Sequence, residues 1–404
     1  MPTFRRLAAS YGLNELGDNF AIVALAILVF DGTGSALATA GLFVAGKFIP
    51  AFVAPGLTAW LDRSSPRIVL PALYAVEAVA FAALAVVAAT EFSLAPVLLL
   101  AFVDGTLALA ARALSRAAVA GVLRPHGALR EGNAVLNVLF AATSAVGPAL
   151  AGLVVAASSA AAALGIDAGS FALVALLLLG TTHARAEEPD RGEPWLARVR
   201  SGLGYVAEHR VIRTLVTAQV LAFIFFFLVI PIEVVYAKRT LGAGDVGFGA
   251  LLASWGAGMV VGSALFARLR RRSTAVLVGT STLLVGAGYL GMAAAPGIVL
   301  ACLASALGGV GNGVQWVAVL TAVQEAVEHS FQARVVGLLE SVGAAAPGVG
   351  YLLGGVLTSV WSPRVAYLVA GLGVVAVAVT MTRRLASGAG DARGRELDRG
   401  QGVV

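Results

Sequence analysis

The chain is poor in charge and almost empty of cysteine. Asp, Glu, Lys and Arg make up 12% of its 404 residues, about half the share of an ordinary soluble domain. A soluble enzyme or a disordered chain needs more polar surface than that, and a nucleic-acid binder needs a basic patch. The formal charge of +6 supplies no such patch, because the cations are scattered between apolar blocks. The single cysteine, Cys302, lies inside an apolar run, which excludes a disulfide framework. His126, His183, His209 and His329 all fall between apolar blocks, and no pair has metal-ligand spacing. No phosphate-cradling glycine loop is present, so ATP-driven pumping by this chain alone is not expected. Lysine is reduced to Lys47 and Lys238, every other basic residue being arginine.

What is abundant is hydrocarbon. Apolar residues form 59% of the chain, roughly 238 positions, and a bilayer-spanning helix needs about 20 of them. Twelve such helices would use nearly the whole stock. Runs such as Phe171 to Leu179 are continuously apolar rather than alternating, which excludes a β-barrel. The expected class is therefore an all-α membrane protein.

A sliding window places apolar blocks near 10–30, 36–59, 68–89, 93–114, 134–157, 161–181, 214–236, 246–266, 274–294, 298–321, 336–359 and 365–382. Asp31 to Gly34, Asp62 to Pro66, Pro296-Gly297 and Ser362-Pro363 separate neighbours, whereas Ala156 to Ala163 carries no charge to mark a boundary. Arginines then set the orientation. The N-terminus, the loops after even-numbered spans and the tail collect 24 of the 28 basic residues, counting Arg112 and Arg116 after span four. Lys238, Arg239 and Arg364 lie on the other side, and Lys47 lies within span two. Both termini are therefore expected in the cytoplasm of a plasma-membrane protein. Arg5, Arg6 and the apolar stretch Ala21 to Phe30 also mimic a cleaved signal peptide, but Glu15 and Asp18 are misplaced for one.

The polar stretch Thr182 to Arg213 divides the spans six and six. The expected layout is a six-helix bundle over 1–181, a cytoplasmic linker over 182–213, a second bundle over 214–384 and a disordered tail over 385–404. Within the linker, Trp195 to Val206 reads as an interfacial amphipathic helix. A shift of 203 residues aligns Gly105 with Gly308, Gly147 with Gly350 and Gly152 with Gly355, as a duplication would.

Ionisable residues inside spans cost several kcal/mol unless paired or hydrated, so they mark cavities. The candidates are Glu15 and Asp18 on span one, Lys47 on span two, Glu77 on span three and Asp104 on span four. All fall in the first half, which is expected to hold the coupling machinery. Glu15 and Asp18 are three apart and share a helical face, and acids so placed hold a proton near neutral pH. A structural hydrogen bond from Asp18 to Asn19, or solvation of Glu15 at the helix end, is the plainer alternative. Lys47 lies too deep to snorkel and is expected to need Asp18 or Glu77 as partner, in a fixed or a switching ion pair. Asp104 has a similar balance of roles, and Glu77 reads rather as a structural partner. Asp167 and Glu233 read as water-accessible residues near span ends. Phe223 to Phe227 and Trp255 are expected to face lipid or line an apolar cavity.

Three segments carry a family likeness. They are Asn14 to Leu25, Arg130 to Ala134 leading into Gly147-Pro148-Ala149-Leu150-Ala151-Gly152, and Thr321 to Gln324 followed by Arg334, Val335 and Pro347. With Asp62, Arg63 and Arg67 after span two, the chain resembles the major facilitator superfamily, in its branch of enterobactin exporters and macrolide-efflux proteins. Arg112 lies nearer the cytoplasm than that superfamily's central arginine. The resemblance implies two pseudo-symmetric six-helix halves and a cytoplasmic gate loop at Asp62, Arg63 and Arg67. It also implies an antiport-like packing motif at Gly147, Pro148 and Gly152, matched by Pro347 and Gly350, which physically is close helix packing.

The leading functional reading is a monomeric secondary transporter that exports a lipophilic drug, macrolide or siderophore-like molecule by alternating access. The proton gradient would drive it, with no cofactor, metal or nucleic-acid partner. An uptake carrier for a small metabolite is the alternative, and a polytopic membrane enzyme a more distant one.

Overall fold

The computed structural model describes residues 2–61, 64, 66–180, 204, 207–208, 210–269, 272–326 and 329–381. All regular structure among them is helical, as lipid demands of a chain that must satisfy its own backbone. The helices are α1 (Pro2–Thr33), α2 (Ala36–Leu61), α3 (Pro66–Ala89), α4 (Leu94–Leu123), α5 (Leu129–Ala157) and α6 (Ala160–Leu178). Next come α7 (from Arg210 to Thr240), α8 (Gly244–Leu269), α9 (Thr274–Ala294), α10 (Ile298–Ala326), α11 (His329–Val360) and α12 (Pro363–Met381). Among the described residues, eleven helices contain a stretch long and apolar enough to cross a membrane, and α11 has a shorter apolar stretch at Ala346–Val360. The twelve-helix reading therefore holds. The gate-loop residues Asp62 and Arg63, the Trp195 to Val206 segment except Gly204, and the tail lie outside the described residues.

Short polar devices set the breaks. Gly34 takes φ +62, which a side chain would strain, and Ser35 then caps α2 by accepting from the Ala38 N–H. The unmarked boundary between spans five and six falls at Ser158-Ser159, where the Ser159 hydroxyl caps α6 through Ala162. Ser273 and Ser362 cap α9 and α12 in the same way. One boundary needs correction: α4 does not end at 114 but runs to Leu123, so Arg112 and Arg116 sit on the helix and not in a loop. Two helices are locally overwound or underwound. A π turn at Val44–Phe48 interrupts α2, and α7 passes through a 3-10 turn at Ile230–Ile232 and a π turn at Tyr236–Thr240.

α1 is the axis of the first half. Val23, Ala24, Ala26 and Val29 are fully buried, with α4, α5 and α6 packed around the helix. The glycines show how alike the two halves are. A side chain at Gly147 would strike Asn19 on α1, and one at Gly350 would strike Ile224 and Phe227 on α7. Gly152 abuts α8 at Gly249, while Gly355 abuts α2 at Ala40. Gly105 meets Gly46 on α2, and Gly308 meets Trp255 on α8. Each pair separated by 203 residues packs against the corresponding helix of its own or the other half. The repeat seen in sequence is thus a repeat of contacts.

The halves meet through α5 against α8 and α2 against α11. At Gly152, Gly249 and Gly256 the first seam is backbone on backbone, and Gly348 receives the Phe48 ring in the second. Beyond Gly256, toward the end that holds Pro2 and Arg210, Val260 and Val261 of α8 are exposed, as are Val135 and Val138 of α5. The helix pair is thus in backbone contact from Asp245 to Gly256 of α8, the end that also holds Asp31.

Candidate coupling site in the first half

Asp18 and Glu15 share one face of α1, and α4 presents Arg112 to both. Arg112 Nη2 donates to Asp18 Oδ2 at 2.8 Å, and its Nε lies 3.4 Å from Glu15 Oε1. The arginine side chain is 35% exposed, Asp18 12% and Glu15 only 3%. Asp18 thus keeps some exposed surface and Glu15 almost none. Asn19 does not serve Asp18; its amide donates to the Glu15 backbone carbonyl at 2.6 Å. Glu15 is not a solvated helix-end residue either, since α1 continues thirteen residues below it to Pro2. Tyr11, one turn below Glu15, lies near Arg116 of the same α4 face.

Three more acids surround this pair. Glu77 on α3 has no exposed surface, and neither carboxylate oxygen has a hydrogen-bond partner. Asp104 on α4 is 7% exposed, with an unpartnered Oδ1. Asp167 on α6 is 1% exposed, which corrects its reading as a water-accessible end residue. It accepts from the Ser170 hydroxyl at 3.1 Å. A Cβ at Gly17 would lie 2.2 Å from Asp167 Oδ1, so the glycine beside Asp18 is what admits the second acid. Asp18, Glu77, Asp104 and Asp167 all act electrostatically on one another, and an unpaired charge at such depth costs several kcal/mol.

Lys47 pairs with neither Asp18 nor Glu77, contrary to expectation. It is exposed in the π turn of α2, and it shares a crevice with Asp104, Ala21 and Ile22. Close approach of Gly46 to Gly105 brings α2 and α4 together there. The π turn supplies the signal that sequence periodicity lacks: one extra residue in the turn re-aims the side chain, and such turns gather at functional sites. Arg67, the described member of the gate loop, is exposed. Pro148 and Pro347 are buried in their helices, with Gly147, Gly152 and Gly350 at the contacts given above.

Residues 1–395 match the family described as transmembrane secretion effector. The chain belongs to that family. It is a transporter of the major facilitator superfamily, and its fold and family are those of transporters rather than of enzymes. Among curated relatives, the uncharacterised MFS-type transporter YfiS of Bacillus subtilis is 27% identical over 259 residues. The multidrug efflux pump Tap of Mycobacterium tuberculosis is 30% identical over 262 residues. The aligned stretch covers 62% of this chain and 62% and 59% of those proteins, less than two thirds of either. Among solved structures, the nucleoside transporter NupG superposes with a TM-score of 0.73 at 13% identity, covering 95% of this chain and 99% of that one. A bacterial homologue of the lysosomal transporter Spinster, inward-facing and unoccupied, gives 0.70 at 13% identity, covering 95% of each. Likeness at that identity establishes the fold.

The second half supplies an aromatic wall. Phe226 contacts Trp255 at 5.8 Å between ring centroids, Phe227 contacts Tyr351 at 5.6 Å, and Trp255 stacks on Tyr289 at 5.4 Å. The rings of α7 are half-buried against each other rather than spread over a lipid face. At the closed end, Lys238 of α7 reaches Asp31 of α1 and Asp245 of α8, each at 2.6 Å. Arg239 lies over the Phe30 ring, 4.8 Å from its centroid. This clamp joins the two halves where the α5–α8 seam is also shut.

Proposed function

We propose that the protein exports a lipophilic small molecule in exchange for protons, by alternating access of a site between the two halves. The observation that carries this reading is the Asp18–Arg112–Glu15 cluster, one side partly wet and the other backed by Glu77, Asp104 and Asp167. A proton arriving on Asp18 neutralises the partner of Arg112, and the freed guanidinium draws on Glu15. Protonation thereby changes which acid holds the arginine. That is a two-state element of the kind coupling requires.

The aromatic wall of Phe226, Phe227 and Trp255 suits apolar cargo, and few cations sit at mid-depth to hold a small polar metabolite. The efflux pump named among the relatives favours the same direction of transport. Lys47, facing Asp104, contributes a fixed positive charge to the crevice. With arginines concentrated at the end opposite Asp31 and Asp245, that end and both termini belong in the cytoplasm. The chain works as a monomer in the plasma membrane, with no metal or organic cofactor, in two six-helix bundles over 1–181 and 214–384. The linker over 182–213 joins them. Asp62, Arg63 and Arg67 form the gate loop of the cytoplasmic mouth.

The test uses purified protein in liposomes with an imposed pH difference and the lipophilic dye ethidium. Dye movement should follow the gradient, and Asp18→Asn should eliminate gradient-driven movement while the protein keeps its elution profile. Wild-type transport by that variant would overturn the assignment.

A further inference from the structure

The second half also contains a buried acid, which the mechanism above leaves unused. Glu233 lies on α7 between the 3-10 turn Ile230–Ile232 and the π turn Tyr236–Thr240. It is 8% exposed and within electrostatic reach of the Tyr289 hydroxyl on α9 and the Tyr367 hydroxyl on α12. Both of those hydroxyls are fully buried and have no hydrogen-bond partner. An acid and two hydroxyls that face one another without direct contact leave polar atoms to be joined by water. Tyr236 has no proton left to donate there, because its hydroxyl donates to the Met292 carbonyl.

No neighbouring cation neutralises Glu233. Lys238, on the same helix, is taken by Asp31 and Asp245, which are the charged groups that α1 and α8 bring to this end. Arg364 of α12 donates to the Ala293 carbonyl at 2.8 Å. Cys302 of α10 lies beside Tyr236. Arg239, next to Lys238, lies over the Phe30 ring of α1. Unlike Glu77, which has no exposure at all, Glu233 keeps 8% of its surface exposed. It stands about 7 Å along the helix below Lys238, within the distorted stretch that ends in the interhalf clamp.

We propose that Glu233, with the Tyr289 and Tyr367 hydroxyls and bridging water, forms a second proton-binding site in the second half, so that each transport cycle moves two protons. The inference rests on the proton-driven reading above and adds the stoichiometry and the place of the second proton. Bonding is simple: the carboxylate takes a proton from water on one side of the membrane and returns it to water on the other. No other group changes oxidation state or covalent structure.

The experiment measures the cargo ratio at which net flux vanishes in liposomes, using ethidium, a pH difference of one unit and membrane potential clamped at zero. Two protons per cargo hold an ethidium ratio of about 100-fold and one proton about 10-fold. Wild type should hold the larger ratio, Glu233→Gln the smaller. Tyr289→Phe combined with Tyr367→Phe should lower the acidity of the outside medium needed for half-maximal transport, because the hydroxyls favour the ionised carboxylate, without changing the end ratio. A wild-type ratio near 10-fold, or Glu233→Gln transport that still reaches the larger ratio, overturns the second site. Either result leaves the proton-driven reading intact. Wild-type protein that holds no ratio at all under the pH difference overturns both. If Glu233→Gln fails to fold, the wild-type ratio and the double tyrosine variant decide the question.

Discussion

Replacing Gly249 by alanine tests the closed seam directly. The added methyl would sit 2.5 Å from the Pro148 carbonyl oxygen and 3.1 Å from the Gly152 Cα. Ordinary contact begins near 3.4 Å, so α5 and α8 must part locally by about 0.9 Å. Both obstacles are backbone atoms, and no rotamer change relieves them. Overpacking of this sort costs about 1–3 kcal/mol. The whole cost falls on the state in which this seam is shut. The population of the state opened at this end should therefore rise by about 5- to 150-fold. Spin labels at Ala157 on α5 and Val246 on α8, with Cys302 replaced by alanine, report the separation by pulsed electron resonance. The Gly249→Ala distribution should shift to longer distances relative to the labelled parent. An unchanged or shortened distribution in a folded protein would refute the reasoning.

Lys238→Met removes both arms of the clamp at once; because Asp31 is 53% exposed, each arm is worth about 0.2–1 kcal/mol, and the same spin-label pair should lengthen by a smaller population shift than for Gly249→Ala. Arg112→Ala leaves Asp18 and Glu15 facing each other with no cation, so the detergent-solubilised protein should lose about 1–3 kcal/mol of stability, read as a lower unfolding temperature, and Arg112→Lys should restore only part of it. Gly105→Leu should yield no folded protein on fluorescence size-exclusion, because its Cβ would lie 1.9 Å from the Gly46 carbonyl oxygen, whereas Gly56→Leu, with nothing within 4 Å, should elute as wild type.

The twelve helices were legible because lipid makes length and hydrophobicity nearly sufficient. The sequence boundaries failed where apolarity continues through a functional charge: α4 carries Arg112 onto the helix because Asp18 and Glu15 meet it there. The acids of α1, α3 and α4 were recognisable from their depth. Asp167 and Glu233 were not, since distance from a helix end says nothing about sideways burial. Asp167 is sealed by α1 at Gly17, and Glu233 is surrounded by rings from α9 and α12. Gly17 was a clue, as a residue with no side chain beside an acid often marks a close neighbour. The partner of Lys47 depended on a π turn, and a sliding window with fixed periodicity cannot register an inserted residue. The glycine pairs 203 residues apart were visible as letters, but their meaning required seeing which helix each one touches.

The lysine clamp at the closed end also exposes the transport cycle to its surroundings. Asp31 keeps about half its surface in water, at 53%, so dissolved ions reach the contact that holds the halves together. Charges there feel each other over about 30 Å in fresh water at 0.01 M salt, and over about 8 Å at 0.15 M. Brine loosens the clasp and dilute medium tightens it. The change is modest, because the paired atoms lie 2.6 Å apart, well inside either length, and Asp245 keeps only 21% of its side chain exposed.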